Sequence, residues 1–409
     1  MSVGDTSGES GESGKSGDHG LGRSWLLYLS LAFASMSFSA TGPVAIIIAA
    51  SREGGLSFAQ TSSWLFTSIG INGLASIAIS WKTRQPLLFL WTIPGAVLPA
   101  PVIAQYGFGA AVGTYLVCAA VLLVLGVTNL VGLLDRWVPM PIVMAMIAGL
   151  FIKYVLAVVH STVAAPLIGG CMLLCFFGLL WLERRNAAPI PPLIGAMLAG
   201  AAVLFATGFR LPSHSGGAWI ATPALIVPRF DLHAISQLLL PLLITVLFVQ
   251  NAQGIAVTRA SGYRTSLRLV TLVSAALTAI TAPFGGCPSV LAGPSNAILV
   301  SGGTHGRHYL GALMAGVICV AIGVCSTAYV FLLTSLPGAY IAILAGLAMM
   351  GVLEKSFVSA FRSALPLSAM IVFVVTLSDV TLLGVGAAFW GVVAGCLVYY
   401  AIEHPRPAD

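Results

Sequence analysis

Residues 91–96 read Trp91-Thr92-Ile93-Pro94-Gly95-Ala96, with Pro99 and Pro101 just beyond. In the second half, Pro283-Phe284-Gly285-Gly286-Cys287-Pro288-Ser289 is followed by Gly293-Pro294-Ser295-Asn296. Both stretches are apolar, and both are broken by Pro and Gly. Backbone that leaves helical geometry at membrane depth persists only where protein or a water-filled cavity satisfies it. Each break therefore predicts a short extended piece followed by a half-helix. Free N–H groups and the positive helix end would then point at the centre of the molecule, which suits a carboxylate or another small anion. One such stretch also reads as a proline kink. Two, at equivalent places in the two halves, favour a site.

The remaining sequence puts these breaks in a membrane. Of 409 residues, 58% are hydrophobic and 7% are charged. Soluble chains carry roughly 25% charged residues, so a soluble enzyme or binding domain is excluded. A crossing helix needs about 20 apolar residues. On that measure the spans are 25–50, 59–81, 86–105, 108–132, 138–159, 163–182, 189–208, 233–257, 266–282, 287–302, 308–333, 336–353, 357–377 and 381–402. That makes fourteen, and the softer boundaries leave twelve or thirteen open. The expected fold is an all-α polytopic membrane protein in which broken helices 3 and 10 sit at the centre.

Charge supports the count. The net charge of +6 does not indicate nucleic acid, because the basic residues sit in short turns between apolar segments. With the N-terminus in the cytoplasm, fourteen Lys and Arg residues fall on that side and three outside (Arg52, Arg210 and Arg229). Lys153 lies within the fifth span. Such a bias is what the positive-inside rule requires, and it places both termini in the cytoplasm of a multi-pass inner-membrane protein. Lys153 is the one strong intramembrane charge, free to snorkel or to pair with a carbonyl. His305 and His308 flank Arg307 in a cytoplasmic turn and are expected to be solvated.

The two halves match at an offset of 197: Ala148-Gly149-Leu150 with Ala345-Gly346-Leu347, Gly126-Val127 with Gly323-Val324, and Pro86 with Pro283. Seven spans per half is odd, so the second half runs through the membrane inverted, the plan of secondary transporters. The domain reading is a disordered tail (1–22), a first repeat (23–209), an extracytoplasmic linker (210–232) and a second repeat (233–402). The tail is Gly/Ser-rich and buries no core. Its Gly8…Gly14-Lys15-Ser16 run loosely resembles a phosphate loop but lacks the preceding strand.

Polar groups interrupt two more spans: Ser39-Ala40-Thr41-Gly42-Pro43 in the first and Gln250-Asn251-Ala252-Gln253-Gly254 in the eighth. Amides at depth face the bundle interior, to bind substrate or to join helices. The candidate substrate-binding residues are Thr41 in span 1 and Trp91, Thr92, Pro94, Gly95 and Ala96 in span 3. To these are added Gln250 and Asn251 in span 8, and Gly285, Gly286, Cys287 and Ser289 at span 10. No metal or other cofactor is expected: Cys171 and Cys175 share a helix face without a His or acid nearby, and the seven cysteines read as buried thiols. Neither HExxH nor a Ser/His pair at depth is present, so an intramembrane enzyme is not indicated. A channel would be told apart by failing to accumulate solute.

Trp64, Arg84-Gln85-Pro86, Thr92-Ile93-Pro94-Gly95-Ala96, Gln250-Asn251, Gly254, Ala260-Ser261-Gly262-Tyr263-Arg264, Pro283-Phe284-Gly285 and Phe389-Trp390-Gly391 together resemble the benzoate:proton symporter (BenE) family, over about Leu31 to Tyr400. The family is similar in architecture to the uracil permease and sulfate permease folds. The resemblance implies seven plus seven inverted helices. It further implies a core domain (about 25–132 and 233–333) that moves against a gate domain (about 138–208 and 336–402), with substrate between spans 3 and 10. The implied activity is proton-coupled uptake of benzoate or a similar aromatic carboxylate; another small organic anion or a nucleobase is the alternative. Phe89, Trp91 and Phe284 are the candidate aromatic contacts of such a carboxylate. The implied partners are that carboxylate, protons and the lipid bilayer, and related folds allow a homodimer. The chain departs from the family pattern at three places. After Pro-Phe-Gly the family usually has Ala-His-x-x-Asn-Leu, where this chain has Cys287 for the His and Val290 for the Asn. Gln253 stands where Pro is common.

Overall fold

The computed structural model describes residues 16–130, 139–185, 190–212, 219–363, 365–380, 382 and 386–403, with side chains described outside 16–24, 41 and 42. Each of the fourteen sequence segments carries helix. Among the described residues, eight helical runs are long and apolar enough to cross a membrane, or nine when His308–Val324 and Ser326–Ser335, bent by 66°, count as one. Side chains such as Leu174 (77% exposed) and Val163 (75% exposed) cover the outside of the bundle, as a lipid-facing surface requires.

The third and tenth segments break as their Pro and Gly residues dictate. Strand β1 (Phe89–Trp91) leads into a half-helix, Ile93–Val97, and strand β2 (Ser289–Leu291) into another, Gly293–Leu299. The strands pair antiparallel, Phe89 with Leu291, Leu90 with Val290 and Trp91 with Ser289. Leu90 and Val290, 200 residues apart, lie at the middle of this ladder. A two-fold there maps each strand onto the other. The ladder ends obey it: Thr92 N–H donates to the Pro288 carbonyl and Ala292 N–H to the Leu88 carbonyl, both at 3.0 Å. The offset at the centre is thus 200 and not 197. Pro94 corresponds to Pro294, and the Pro86–Pro283 match is fortuitous. The second half is three residues shorter between its strand and Gly323, which restores 197 further on.

Two three-residue strands cannot satisfy their own backbone, and water is absent at this depth. Side chains from neighbouring helices complete the pairing. Phe89 N–H donates to Ser76 Oγ at 2.8 Å, and Ser289 N–H to Thr278 Oγ1 at 3.0 Å. Leu291 N–H donates to Asn251 Oδ1 at 2.8 Å, and Leu88 N–H to Asn296 Oδ1 at 3.1 Å. The Ser, Thr and Asn residues scattered through apolar segments therefore hold the crossing together.

Small residues bring segments 2 and 11 into contact. A Cβ on Gly73 would lie 2.3 Å from the Cys319 Cβ and 2.9 Å from the Gly316 carbonyl, so only glycine fits. Elsewhere, segment 5 (Met140–Ala164) packs along segment 12 (Gly338–Phe361), and segment 13 (Pro366–Leu377) packs on both segments 5 and 14. The linker lies across the core: Ala221, Ile226 and Arg229 donate N–H bonds to Val324, Pro283 and Gly109, each at 2.8 Å.

Three expectations change. The first helix begins at Ser16, inside the stretch read as a tail; residues 1–15 lie outside the described ones. Extending an existing helix costs far less than nucleating one. Segment 12 continues through Glu354 and Lys355 to Phe361, and segment 13 begins at Pro366 instead of 357. Glu and Lys are good helix formers, and it is proline that restarts the chain. His308 is 6% exposed, its Nδ1 2.8 Å from the Tyr263 hydroxyl, with His305 stacked on the same tyrosine at 4.8 Å. Burial holds the Tyr263 hydroxyl above the usual tyrosine range.

Candidate substrate site

A cavity of about 590 Å³ lies where the broken helices meet segments 5 and 12. Ile93 and Pro94, which open one half-helix, and Pro294 of the other form its inner end. Segment 8 contributes Phe248, Val249, Gln250, Ala252, Gln253 and Ala256, and segment 1 contributes Phe38. Across from them stand Met140, Met144 and Ile147 of segment 5, and Ala348, Gly351, Val352, Lys355 and Ser356 of segment 12. Segments 5 and 12 each show one face, at spacings of three, four and seven residues, as helical geometry demands. The cavity is therefore a cleft between segments 1, 3, 8 and 10 on one side and segments 5 and 12 on the other.

Its chemistry is apolar with few polar groups. Lys355 is the one charged residue among the described lining residues, and it forms no ion pair with a described residue. Gln250 is 5% exposed, and its side-chain amide has no hydrogen-bond partner among the described residues. A pocket with apolar walls and a few convergent polar groups has the usual form of a small-molecule site.

The local backbone explains why Gln250 reaches the cavity. Thr245–Asn251 forms a π-helical turn between the α-helices Leu232–Ile244 and Ala252–Ala260. A π turn inserts a residue and rotates the side chains after it, and such turns recur at functional sites. Gln250 faces the cleft while its neighbour Asn251 is fully buried, donating to Ser274 Oγ at 3.1 Å and accepting from Leu291 N–H.

The structure brings some of the candidate residues together and not others. Pro94 and Gln250 line the cavity. Trp91 borders an adjoining recess of about 10 Å³ with Ser39, Gln250 and Ser295, scarcely room for one water. Thr92 caps its half-helix, accepting from Gly95 N–H at 3.3 Å. That N–H, expected to be free for an anion, is thus engaged. A Cβ on Gly95 would lie 2.1 Å from the Thr92 methyl, so this cap needs glycine. Ala96 is buried in the core. Asn251 and Ser289 belong to the crossing's polar network, Ser289 Oγ donating to Asn72 Oδ1 at 2.9 Å. Gly285, Gly286 and Cys287 lie behind β2: Gly285 against Phe108, and Gly286 against Thr67 and Thr281. None of these three lines the cavity. The side chain of Thr41 lies outside the described ones.

Cys287 occupies a revealing position. It is fully buried against Trp64 and Ser68 and near Tyr115. Trp64 Nε1, Ser68 Oγ and the Tyr115 hydroxyl are buried without hydrogen-bond partners among the described residues. A thiol is a weak donor and acceptor, and it leaves unsatisfied the polar groups that an imidazole would engage.

Sequence reading missed Lys355, Phe38 and the methionines of segment 5, and marked the Gln253 amide without placing it among the substrate-binding residues. For Lys355 a signal existed. Ala348, Gly351, Val352 and Lys355 share one helical face, but treating charge as a break hid it. Lys153, expected to snorkel or to meet a carbonyl, is paired with an acid: its Nζ lies 3.6 Å from Glu53 Oε1.

Comparison with known proteins agrees with this architecture. The profile of the BenE family, described as benzoate membrane transport protein, matches residues 26–401. The inner membrane protein YdcO of Escherichia coli (strain K12) is 29% identical over 92% of this chain and 95% of its own. The benzoate membrane transport protein of Acinetobacter baylyi (strain ATCC 33305 / BD413 / ADP1) is 28% identical over 94% of this chain and 98% of its own. Among solved structures, the transmembrane domain of the cyanobacterium bicarbonate transporter BicA superposes with a TM-score of 0.60 at 15% identity, covering 89% of this chain and 96% of that one. SLC26A9 superposes with a TM-score of 0.65 at 10% identity, covering 93% of this chain and 65% of that one. These two likenesses show the fold, a polytopic inverted-repeat transporter. The family match spans nearly the whole chain, and its broken helices, central ladder and intervening cleft are those of a transporter: this chain belongs to the benzoate membrane transport protein (BenE) family of membrane transporters.

Proposed function

We propose that the protein is a secondary active transporter that carries benzoate or a similar aromatic carboxylate, with a proton, across the inner (cytoplasmic) membrane. The observation that carries this reading is a cation, Lys355, without an ion-pair partner among the described residues, in an otherwise apolar cleft. Such a cleft suits a solute with one negative group and a flat apolar body. Lys355 meets the carboxylate, the Gln250 amide donates to it, and Phe38 and Phe248 border the ring. The accompanying proton enters with the anion and neutralises it. One proton per monovalent anion makes the cycle electroneutral and driven by the pH gradient. Both termini are cytoplasmic in this reading, and the mouth at Lys355 opens to the cytoplasm.

The test is uptake of labelled benzoate into proteoliposomes whose interior is alkaline, with protein-free liposomes as control because neutral benzoic acid crosses lipid unaided. Protein-dependent accumulation abolished by a protonophore is the expected result. No protein-dependent uptake from folded protein would overturn benzoate as the substrate. A second reading, another small organic anion or a nucleobase, is favoured by Gln253, whose amide lines the cavity and offers a further hydrogen bond to a more polar solute. Competition against benzoate uptake separates the two.

A further inference from the structure

A second cleft of about 120 Å³ lies between segments 3 and 8 on one side and segments 5, 13 and 14 on the other. Three elements border both spaces in turn. Segment 5 borders the cavity with Met140, Met144 and Ile147, then the cleft with Leu150 and Lys153. Segment 3 borders the cavity with Ile93 and Pro94, then the cleft with Val97, Leu98 and Pro101. Segment 8 passes the cleft first, at Gln237, and the cavity from Phe248 onward. The two spaces are therefore stacked along one seam, with the half-helix Ile93–Val97 between them.

The cleft has its own polar set. Lys153, Gln105 and Gln237 border it, as does Thr376, whose hydroxyl is buried without a partner among the described residues while the residue is 4% exposed. Asp379 stands at its edge. Lys153 lies 5.7 Å from the centre of the Tyr154 ring and is paired with Glu53, at the end of segment 1. The pair thus joins the two sides of the seam. Its side chains are 37% and 43% exposed, and a pair so open to water is weak and exchanges partners readily.

We propose that this cleft is a second carboxylate-binding site, at the opposite mouth of the pathway, in which Lys153 exchanges Glu53 for the carboxylate of an incoming solute. The solute's carboxylate replaces Glu53 as the partner of Lys153, and the Thr376 hydroxyl and the Gln105 amide donate to its remaining oxygen, while the Gln237 amide donates to the Tyr106 hydroxyl at 3.1 Å. When the solute displaces Glu53, the tie across the seam is released, so capture and opening of this mouth are one event. The inference rests on the reading of the protein as a carboxylate transporter.

The chain contains four lysines, Lys15, Lys82, Lys153 and Lys355, so their reactivities can be followed individually. Purified full-length protein in detergent is briefly acylated with an N-hydroxysuccinimide ester, with and without benzoate, and each lysine is quantified by peptide mass spectrometry. Benzoate is expected to slow acylation of Lys153 at least twofold, about the lower end for a partly exposed pair, and to leave Lys82 unchanged. Glu53→Gln is expected to speed Lys153 acylation by roughly two- to fivefold without ligand. Thr376→Val, which removes the unpartnered hydroxyl, is expected to weaken the benzoate protection. Lys153 acylation that responds neither to benzoate nor to Glu53→Gln would overturn the proposal. Protection of Lys153 without protonophore-sensitive uptake in proteoliposomes would keep this site and reject proton-coupled benzoate transport. Uptake without protection would do the reverse.

Discussion

Asn296 holds Leu88 by both of its backbone groups. Leu88 N–H donates to Asn296 Oδ1 at 3.1 Å, and Asn296 Nδ2 donates to the Leu88 carbonyl at 3.0 Å. Leu88 immediately precedes β1, and Asn296 lies within the half-helix that follows β2, so one side chain ties the two repeats at their crossing. Asn296→Ala leaves the Leu88 N–H unpaired at a depth where no water replaces the bond. The expected loss is about 2–3 kcal/mol, read as a lower unfolding midpoint in detergent together with loss of uptake. An unchanged midpoint would show that the clamp is dispensable.

Gln250 and Asn251 are adjacent in the chain and opposite in role. Gln250→Ala removes an amide that faces the cavity and no internal bond, so KM for uptake is expected to rise by about three- to tenfold at an unchanged unfolding midpoint. Asn251→Ala leaves Leu291 N–H without its acceptor and is expected to lower stability by about 1–3 kcal/mol, with uptake falling as β2 loses its hold. Equal midpoints for the two variants would refute this division.

Lys355 supplies the cavity's charge. Lys355→Gln is expected to raise KM for benzoate about tenfold, the scale of one charge-assisted hydrogen bond, while Lys355→Arg keeps most of the affinity. Uptake kinetics in proteoliposomes at constant pH gradient make the comparison. Wild-type KM in the glutamine variant would remove Lys355 from the site.

Cys287→His places the residue common in the family into a fully buried position behind β2. The imidazole offers an acceptor to the orphaned Trp64 Nε1 and meets Ser68, but it adds volume to a packed core, where overpacking costs about 1–3 kcal/mol. Because Cys287 does not line the cavity, stability is expected to change while KM for benzoate stays within about twofold of wild type, as expected for a residue outside the site. A large change in substrate preference would show that the region behind β2 reaches the solute.

How much of this was written locally can be judged residue by residue. The fourteen apolar segments, the breaks at Thr92-Ile93-Pro94-Gly95 and Gly293-Pro294-Ser295, and the inverted order of the two halves are legible in the chain. Hydropathy, proline geometry and the placement of Lys and Arg act through nearest neighbours and through the membrane itself. They need no knowledge of what packs against what.

The site needed the third dimension. Gln250 and Asn251 are indistinguishable as sequence, and a π turn directs one to the cleft and the other to Leu291. Lys355 resembled a turn residue until its helix was seen to run on to Phe361, across the cleft from Pro94. Ser289 and Cys287 carried the chemistry expected of a site, and packing spent it inside the core. Hydrophobic pattern determined that this chain crosses a membrane in two inverted halves with broken helices at their centre. Tertiary structure decided which polar groups close bonds among themselves and which are left facing a cavity, because buried polar groups take partners by proximity in space, and that proximity is set by segments some 200 residues apart.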